Sequence, residues 1–248
     1  PIDLRSKFLL YQPNIALISG IAWDHINVFK TFDDYVEQFR KFVASITPGG
    51  VLVYNEEDAE VVKVVESAEN YFRKIPYKTP DYEIVNGIVN LKTDMGDIPL
   101  SVFGKHNLLN MEGARFICSQ LGIMEEEFYE AIMSFKGASK RLEKVERQDG
   151  GLLYKDFAHA PSKVKATVAA FAEQFSKTET FGFLELHTYS SLNPVFLEQY
   201  DHALDGLDNA VVFYSEDALK IKRMDPISPE LIKEKFKNEN LESSHVDT

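Results

Sequence analysis

A single cysteine, Cys118, is the only thiol in this 248-residue sequence, which excludes an intrachain disulfide and a thiolate metal cluster and suits a reducing compartment. Long apolar runs are lacking too. Nothing approaches the roughly 18 consecutive apolar residues of a membrane-spanning helix, and the opening residues show no succession of charged, apolar and small residues that would read as a signal peptide. Basic residues number 27 against 39 acidic ones, and the resulting charge of −12 repels nucleic acid and anionic membranes at long range. The expectation is a cytoplasmic protein without nucleic-acid or membrane partners, in which a phosphorylated ligand must meet locally clustered cations or metal. No repeat of solenoid period and no low-complexity segment is present. What is present, 44% hydrophobic and 27% charged residues, is the composition of a globular chain that can bury a core, and the length suits one large domain or two ordinary ones. The chain opens at Pro1 without a methionine and closes on a polar run, Asn238 to Thr248, and so reads as a piece of something longer.

The first sixty or so residues alternate strand and helix. Ile15 to Ile18 and Val51 to Tyr54 are short apolar runs closed by turn residues, and Tyr35, Val36, Phe39, Phe42, Val43 and Ile46 recur at helical spacing behind a capping pair, Thr31 and Asp34. Asp58 to Ala68 reads as a second helix. Such alternation predicts a parallel sheet. Tyr82 to Val85 and Ile88 to Leu91 then flank Asn86-Gly87, a strong hairpin signal, with a further turn signal at Met95-Gly96-Asp97. Helices follow at His106 to Leu121 and Met124 to Phe135, and Gly137 marks a candidate domain boundary. Beyond it a second alternating unit is expected, with strands near Leu142 to Arg147, Leu152 to Phe157, Phe181 to Leu186 and Ala210 to Tyr214. Its helices are expected at Pro161 to Phe175, Pro194 to Leu204 and Ser228 to Phe236.

Open α/β sheets bind ligands in loops beyond the carboxyl ends of strands, and polar segments fall in such places. In Ser19 to His25, His25 offers an imidazole metal ligand that Asp24 could orient; an Asp-His pair in a loop is more often incidental. In Phe103 to Asn110, Gly, Lys, His and two Asn stand at a helix amino terminus, where free N–H groups favour phosphate and carboxamides can pair with a base edge. Plain helix capping would use the same residues. Gly104-Lys105 lacks the upstream glycine and the following Ser or Thr of a P-loop. In Lys155 to Pro161, Asp156 could accept from ribose hydroxyls and His159 could orient a substrate, or both could serve as loop and cap residues.

Taken together and in order, these segments resemble the ATP-dependent Mur ligases, which add amino acids or peptides to UDP-muramic acid precursors of peptidoglycan. Asp24-His25 looks like the family's Asp-His after a central-domain strand, and Gly104 to Asn110 matches its Gly-x-His-Asn-x-x-Asn signature. Gly137 to Glu143 is similar to the Gly-x-x-Arg-Arg-Phe-Glu segment that opens the carboxyl-terminal domain, and Lys155 to Pro161 resembles Asp-Tyr-Ala-His-x-Pro. The implied fold is α/β: a partial P-loop-type Mur ligase central domain over residues 1–136, lacking the P-loop, then a Rossmann-like carboxyl-terminal domain over 137–248, possibly truncated. Asp3 to Phe8 resembles a segment of the family's peptide-recycling branch, which joins UDP-N-acetylmuramate to the tripeptide L-alanyl-γ-D-glutamyl-meso-diaminopimelate. Ser191 stands where the alanine-adding branch carries an arginine near the incoming amino acid, which also ranks the tripeptide acceptor first. The alternatives are L-alanine as acceptor, and a non-catalytic nucleotide-binding relative.

The resemblance implies that the muramate carboxylate attacks the γ-phosphate of ATP, giving an acyl phosphate from which the incoming amine displaces phosphate. Such chemistry depends on positioning and on neutralising oxygen charge, with Mg²⁺ as cofactor. His25 would help hold a second Mg²⁺, an unusual task for imidazole given magnesium's preference for oxygen. His106, Asn107 and Asn110 would bind the nucleotide, with the adenine contacts falling to the two Asn; Lys140, Arg141 and Asp156 would bind it from the carboxyl-terminal domain. Lys105 and His159 would lie at the reacting groups. The P-loop lysine, the uridine-binding domain and the metal-binding glutamate have no counterpart here, and neither Arg40 nor Lys41 can be placed at the carbamylated lysine of some relatives. The expectation is therefore an enzyme in full length and an inactive 248-residue piece.

Overall fold

The structure is a computed structural model that describes residues 6–145 and 150–246. The chain divides into two compact units, Pro1–Phe135 and Lys136–Thr248.

The first unit is built on three parallel strands, β1 (Ile15–Ile18), β2 (Val51–Asn55) and β3 (Arg73–Tyr77), in the order β1-β2-β3. Ile15 stands opposite Val51, and Val51 opposite Arg73. Helix α1 (Phe32–Ala44) starts where the Thr31 hydroxyl accepts from the Asp34 N–H at 3.1 Å, and α2 (Ala59–Glu66) where Asp58 accepts from Glu60 and Val61. Val36 and Val43 of α1 and Val61, Val64 and Val65 of α2 join Ala16, Ile18 and Leu52 in one buried cluster. Val53, Ile75 and Tyr77 form a second cluster, against Leu109, Phe116 and Ile117 of α3 (Lys105–Gln120). The sheet is thus covered on both faces, as a parallel sheet requires. Helix α3 comes unusually close, because a Cβ at Gly113 would lie 2.9 Å from the Tyr77 ring.

A three-stranded antiparallel sheet, β4 (Tyr82–Val85), β5 (Ile88–Thr93) and β6 (Gly96–Leu100), precedes α3, with Asn86 and Gly87 at φ of 52° and 78° forming its first turn. Helix α4 (Glu125–Met133) closes the unit. Two of these strands are not evident in the sequence. Pro76 interrupts the pattern of β3, yet on the outer strand of this sheet its missing N–H costs little; Gly96 and Pro99 disguise β6 in the same way.

The second unit holds another parallel sheet in the order β11-β10-β9, made of β9 (Phe181–Leu186), β10 (Asn209–Ser215) and β11 (Leu241–Val246). Ahead of it lies an antiparallel hairpin, β7 (Glu143–Val145) and β8 (Leu153–Lys155). The sequence pattern had cast these two as strands of an alternating unit; they pair instead with each other, and the expected end of the first at Arg147 lies outside the described residues, as do Asp3, Leu4 and Arg5 of the Asp3 to Phe8 segment. Helices α5 (Pro161–Gln174), α6 (Glu216–Lys222) and α7 (Pro229–Phe236) complete the unit.

One expected helix is corrected. Residues 194–204 form a five-residue 3-10 turn, Phe196–Tyr200, rather than an α-helix. Asn193 accepts from the Val195 and Phe196 N–H groups, Asp201 leaves helical geometry at ψ 121°, and His202 takes a φ of 54°, so the chain bends to bury Phe196, Leu197 and Tyr200 together. Strand β11 was hidden by its polar sequence, Leu-Glu-Ser-Ser-His-Val; its pairing with β10 decides it. Among the described residues no helix is long and apolar enough to cross a membrane.

Candidate functional site

In the first unit the loops after β1 and β2 are tied together by side chains of the second loop. Asn55 donates to the Ser19 carbonyl at 3.1 Å, and Asp58, while capping α2, accepts from the Ile21 N–H at 2.8 Å. Glu57 between them reaches two further elements. Its carboxylate accepts from Thr79 Oγ1 at 2.6 Å and lies 3.3 Å from Lys105 Nζ at the start of α3. The Thr79 hydroxyl, with help from Lys105, holds the Glu57 carboxyl below the usual carboxylate range. The sheet-end loops and the amino terminus of α3 therefore share one polar network. Its centre, Glu57, was not singled out in the sequence, where it is one acid in a run of three.

Gly104 makes the entry to α3 possible, with a φ of 89° that other residues rarely adopt. No side chain caps this terminus, so its first N–H groups are not consumed by a cap. Asn107 donates to the Phe103 carbonyl at 2.9 Å and thus anchors the junction, whereas Asn110, one turn further on, is exposed. His106 is half-buried beside them. Lys105, His106, Asn107 and Asn110 are thus gathered on the first turns of one helix.

His25 stands apart. Its own loop holds it at a φ of 56°, its backbone carbonyl accepts from Val28 and Phe29, and its imidazole is exposed. Asp24 is buried; it accepts from the His25 N–H at 2.7 Å and comes within 3.9 Å of the His25 ring. Asp24 thus holds the main chain at His25. Among the described residues no group of three or more His, Cys, Asp or Glu side chains is placed to hold a metal ion.

In the second unit the structure assembles a tighter group. Phe157 N–H donates to the Lys140 carbonyl at 2.9 Å, which draws the segment around Arg141 onto the loop after β8. The Arg141 guanidinium then lies 5.7 Å from the Phe157 ring centroid. Phe157, His159 and His187 form a triangle of rings, with centroids 5.0, 5.7 and 6.3 Å apart. Asp156 accepts from the Phe157 N–H at 2.7 Å and from Thr167 Oγ1 at 2.6 Å, so it fixes the loop to α5. Lys140 donates its own N–H to Glu143 at 2.7 Å, which keeps that carboxyl below its ordinary pKa. Of the expected residues here, Arg141 and His159 share an aromatic cluster, while Asp156 and the Lys140 backbone build its frame. Phe157 comes with them in the same segment, and His187 joins through tertiary contact.

Ser191 is fully buried and closes a turn: its hydroxyl accepts from the Thr188 N–H at 2.9 Å, and its own N–H donates to Thr188 Oγ1 at 3.0 Å. Its place in the loop is thus explained by local structure, which weakens its weight as a marker of the acceptor.

The comparisons agree with this architecture. Residues 3–118 match the family model of the Mur ligase middle domain. A UDP-N-acetylmuramate–L-alanine ligase of Caldicellulosiruptor bescii is 29% identical over 221 residues, covering 83% of this chain and 48% of that protein. Among solved structures, MurF from Acinetobacter baumannii superposes with a TM-score of 0.70 at 18% identity, covering 95% of this chain and 51% of its own. A murein peptide ligase from Psychrobacter arcticus superposes with a TM-score of 0.63 at 15% identity, covering 100% of this chain and 52% of its own. Over residues 3–118 the sequence is similar to the Mur ligase middle domain, and the mixed α/β fold is that of the solved Mur ligases. The chain spans about half the length of the curated relatives it matches.

Proposed function

We propose that the chain is part of an ATP-dependent amide ligase of peptidoglycan synthesis that joins L-alanine to UDP-N-acetylmuramate in the cytoplasm. The observation that carries this reading is the similarity, over 83% of the chain, to a relative named for that reaction, with further relatives of the same name beside it. The sequence motifs had ranked the tripeptide acceptor first, and the comparisons favour the alanine reading instead. The tripeptide reading stands second, on the resemblance of Asp3 to Phe8 to a segment of the peptide-recycling branch.

In this reading residues 1–136 and 137–248 correspond to part of the central domain and to the carboxyl-terminal domain. The uncapped terminus of α3 attracts the anionic nucleotide, and Asn110 is exposed to reach the base. Arg141, steadied on Phe157, supplies the cation that an acidic protein needs locally beside phosphate oxygens. His159 lies near the acceptor amine. ATP activates the muramate carboxylate, and capture by the amine forms the amide and releases phosphate.

The full-length protein, given ATP, UDP-N-acetylmuramate, and L-alanine and the tripeptide in competition, should form mainly the alanine adduct. Predominant tripeptide adduct would reverse the two readings, and no ATP-dependent adduct with either would remove both. The 248-residue chain alone should release no phosphate under the same conditions.

A further inference from the structure

We infer that Tyr200 is a positioning residue for His159, holding the loop after β8 from the core of the second unit. Tyr200 ends the 3-10 turn, is fully buried, and stacks on Phe236 of α7 with centroids 5.0 Å apart and ring planes 15° apart. Phenylalanine would satisfy that packing equally well. The hydroxyl adds something packing does not require: it donates to the backbone carbonyl of His159, 41 residues earlier in the chain. That carbonyl directly precedes Ala160, the N-cap of α5, which has no side chain able to cap the helix. Tyr200 thus fixes the chain where the loop becomes helix.

His159 is then held at two points. Its main-chain oxygen is gripped by Tyr200, and its ring Nδ1 lies 2.8 Å from the Phe157 carbonyl. A carbonyl oxygen only accepts, so Nδ1 carries the proton and the lone pair stays on Nε2. Contacts with the Phe157 and His187 rings set the plane of the imidazole. If the main chain at His159 shifts, the ring moves relative to the Phe157 carbonyl and the preference for the Nδ1–H tautomer weakens. The tautomer therefore reports the position of the loop.

The effect on turnover rests on the reading of His159 as a site residue; the effect on the loop does not. In full-length protein, Tyr200→Phe should lower the ratio of Nδ1–H to Nε2–H tautomer at His159 by about threefold to tenfold, the range one hydrogen bond accounts for. Nitrogen-15 NMR of the histidine rings measures it. Ligation kcat should fall in similar proportion, with KM for L-alanine unchanged within about twofold by the same reasoning. Phe236→Leu loosens the same packing without touching the hydroxyl, and should lower the melting temperature while leaving the His159 tautomer alone. An unchanged His159 ring in Tyr200→Phe, or the same change in Phe236→Leu, overturns the inference. So does unchanged turnover in Tyr200→Phe where His159→Ala is inactive. Full turnover in His159→Ala instead removes His159 from the site and leaves the tautomer result to judge Tyr200.

Discussion

Tyr77 in the first unit and Tyr200 in the second are both almost wholly withdrawn from solvent, and they use their hydroxyls in opposite ways. The Tyr77 hydroxyl carries no hydrogen bond among the described residues, whereas Tyr200 donates to the His159 carbonyl. Burial being equal, the difference lies in what the neighbouring element offers. Tyr77 meets a helix interior at Gly113, where the backbone bonds are already made; Tyr200 meets a loop whose carbonyl needs a donor. In the first unit, then, core and site are separate: α3 packs on the sheet through apolar contact, and polar ties such as Asn55, Glu57 and Asp58 lie at the ends of strands and helices. In the second, a core side chain reaches the site loop directly.

The largest test of this contrast is alkaline. Burial pushes the Tyr77 and Tyr129 phenols up to about 12. Both stay protonated in the folded protein at a pH where the unfolded phenols, near 10, have lost their protons. Their contribution is therefore complete below pH 10 and is lost as pH rises from 10 to 12. Urea unfolding across that window should show the fall, and Tyr77→Phe should remove its share. Next comes Asp58→Ala, which deletes the cap of α2 and the tie to Ile21 at once, and should cost about 3 kcal/mol in urea unfolding at pH 7. Smaller is Tyr200→Phe, which leaves the His159 carbonyl without this donor and should cost about 1–2 kcal/mol by the same measurement. Smallest, and opposite in sign, is Tyr77→Phe at pH 7: deleting a buried hydroxyl with nothing to bond should be neutral or stabilising by up to about 1 kcal/mol. Equal losses in the two tyrosine variants would erase the contrast.

Much of the fold was legible where burial and period agree. The strands Ile15–Ile18 and Val51–Asn55, the hairpin at Asn86-Gly87, and helices α1, α3, α5 and α7 follow from local pattern and local caps. The misses share a cause. Strands β3, β6 and β11 carry proline, glycine or polar residues and exist because a neighbour pairs with them; residues 194–204 have helical spacing but are bent to bury Phe196, Leu197 and Tyr200. The candidate site divides the same way. His25, Lys105, His106, Asn107, Asn110, Lys140, Arg141, Asp156 and His159 stand out as residue types at strand and helix ends. Glu57 and Tyr200 do not, and Phe157, though inside a motif segment, stands out there only as an apolar residue, while His187 gains its place from contact with the Phe157 and His159 rings.

What the sequence by itself determined is therefore local: which segments can be helix or strand, where their ends lie, and which polar residues gather at those ends. Chain order and short-range sterics suffice for that. Only the tertiary structure decided how those residues are employed, tying Asp156 to Thr167 of α5, setting Arg141 over Phe157, and bringing Tyr200 to a carbonyl 41 residues away. Such contacts depend on which surfaces can be buried against each other, and no short segment contains both partners.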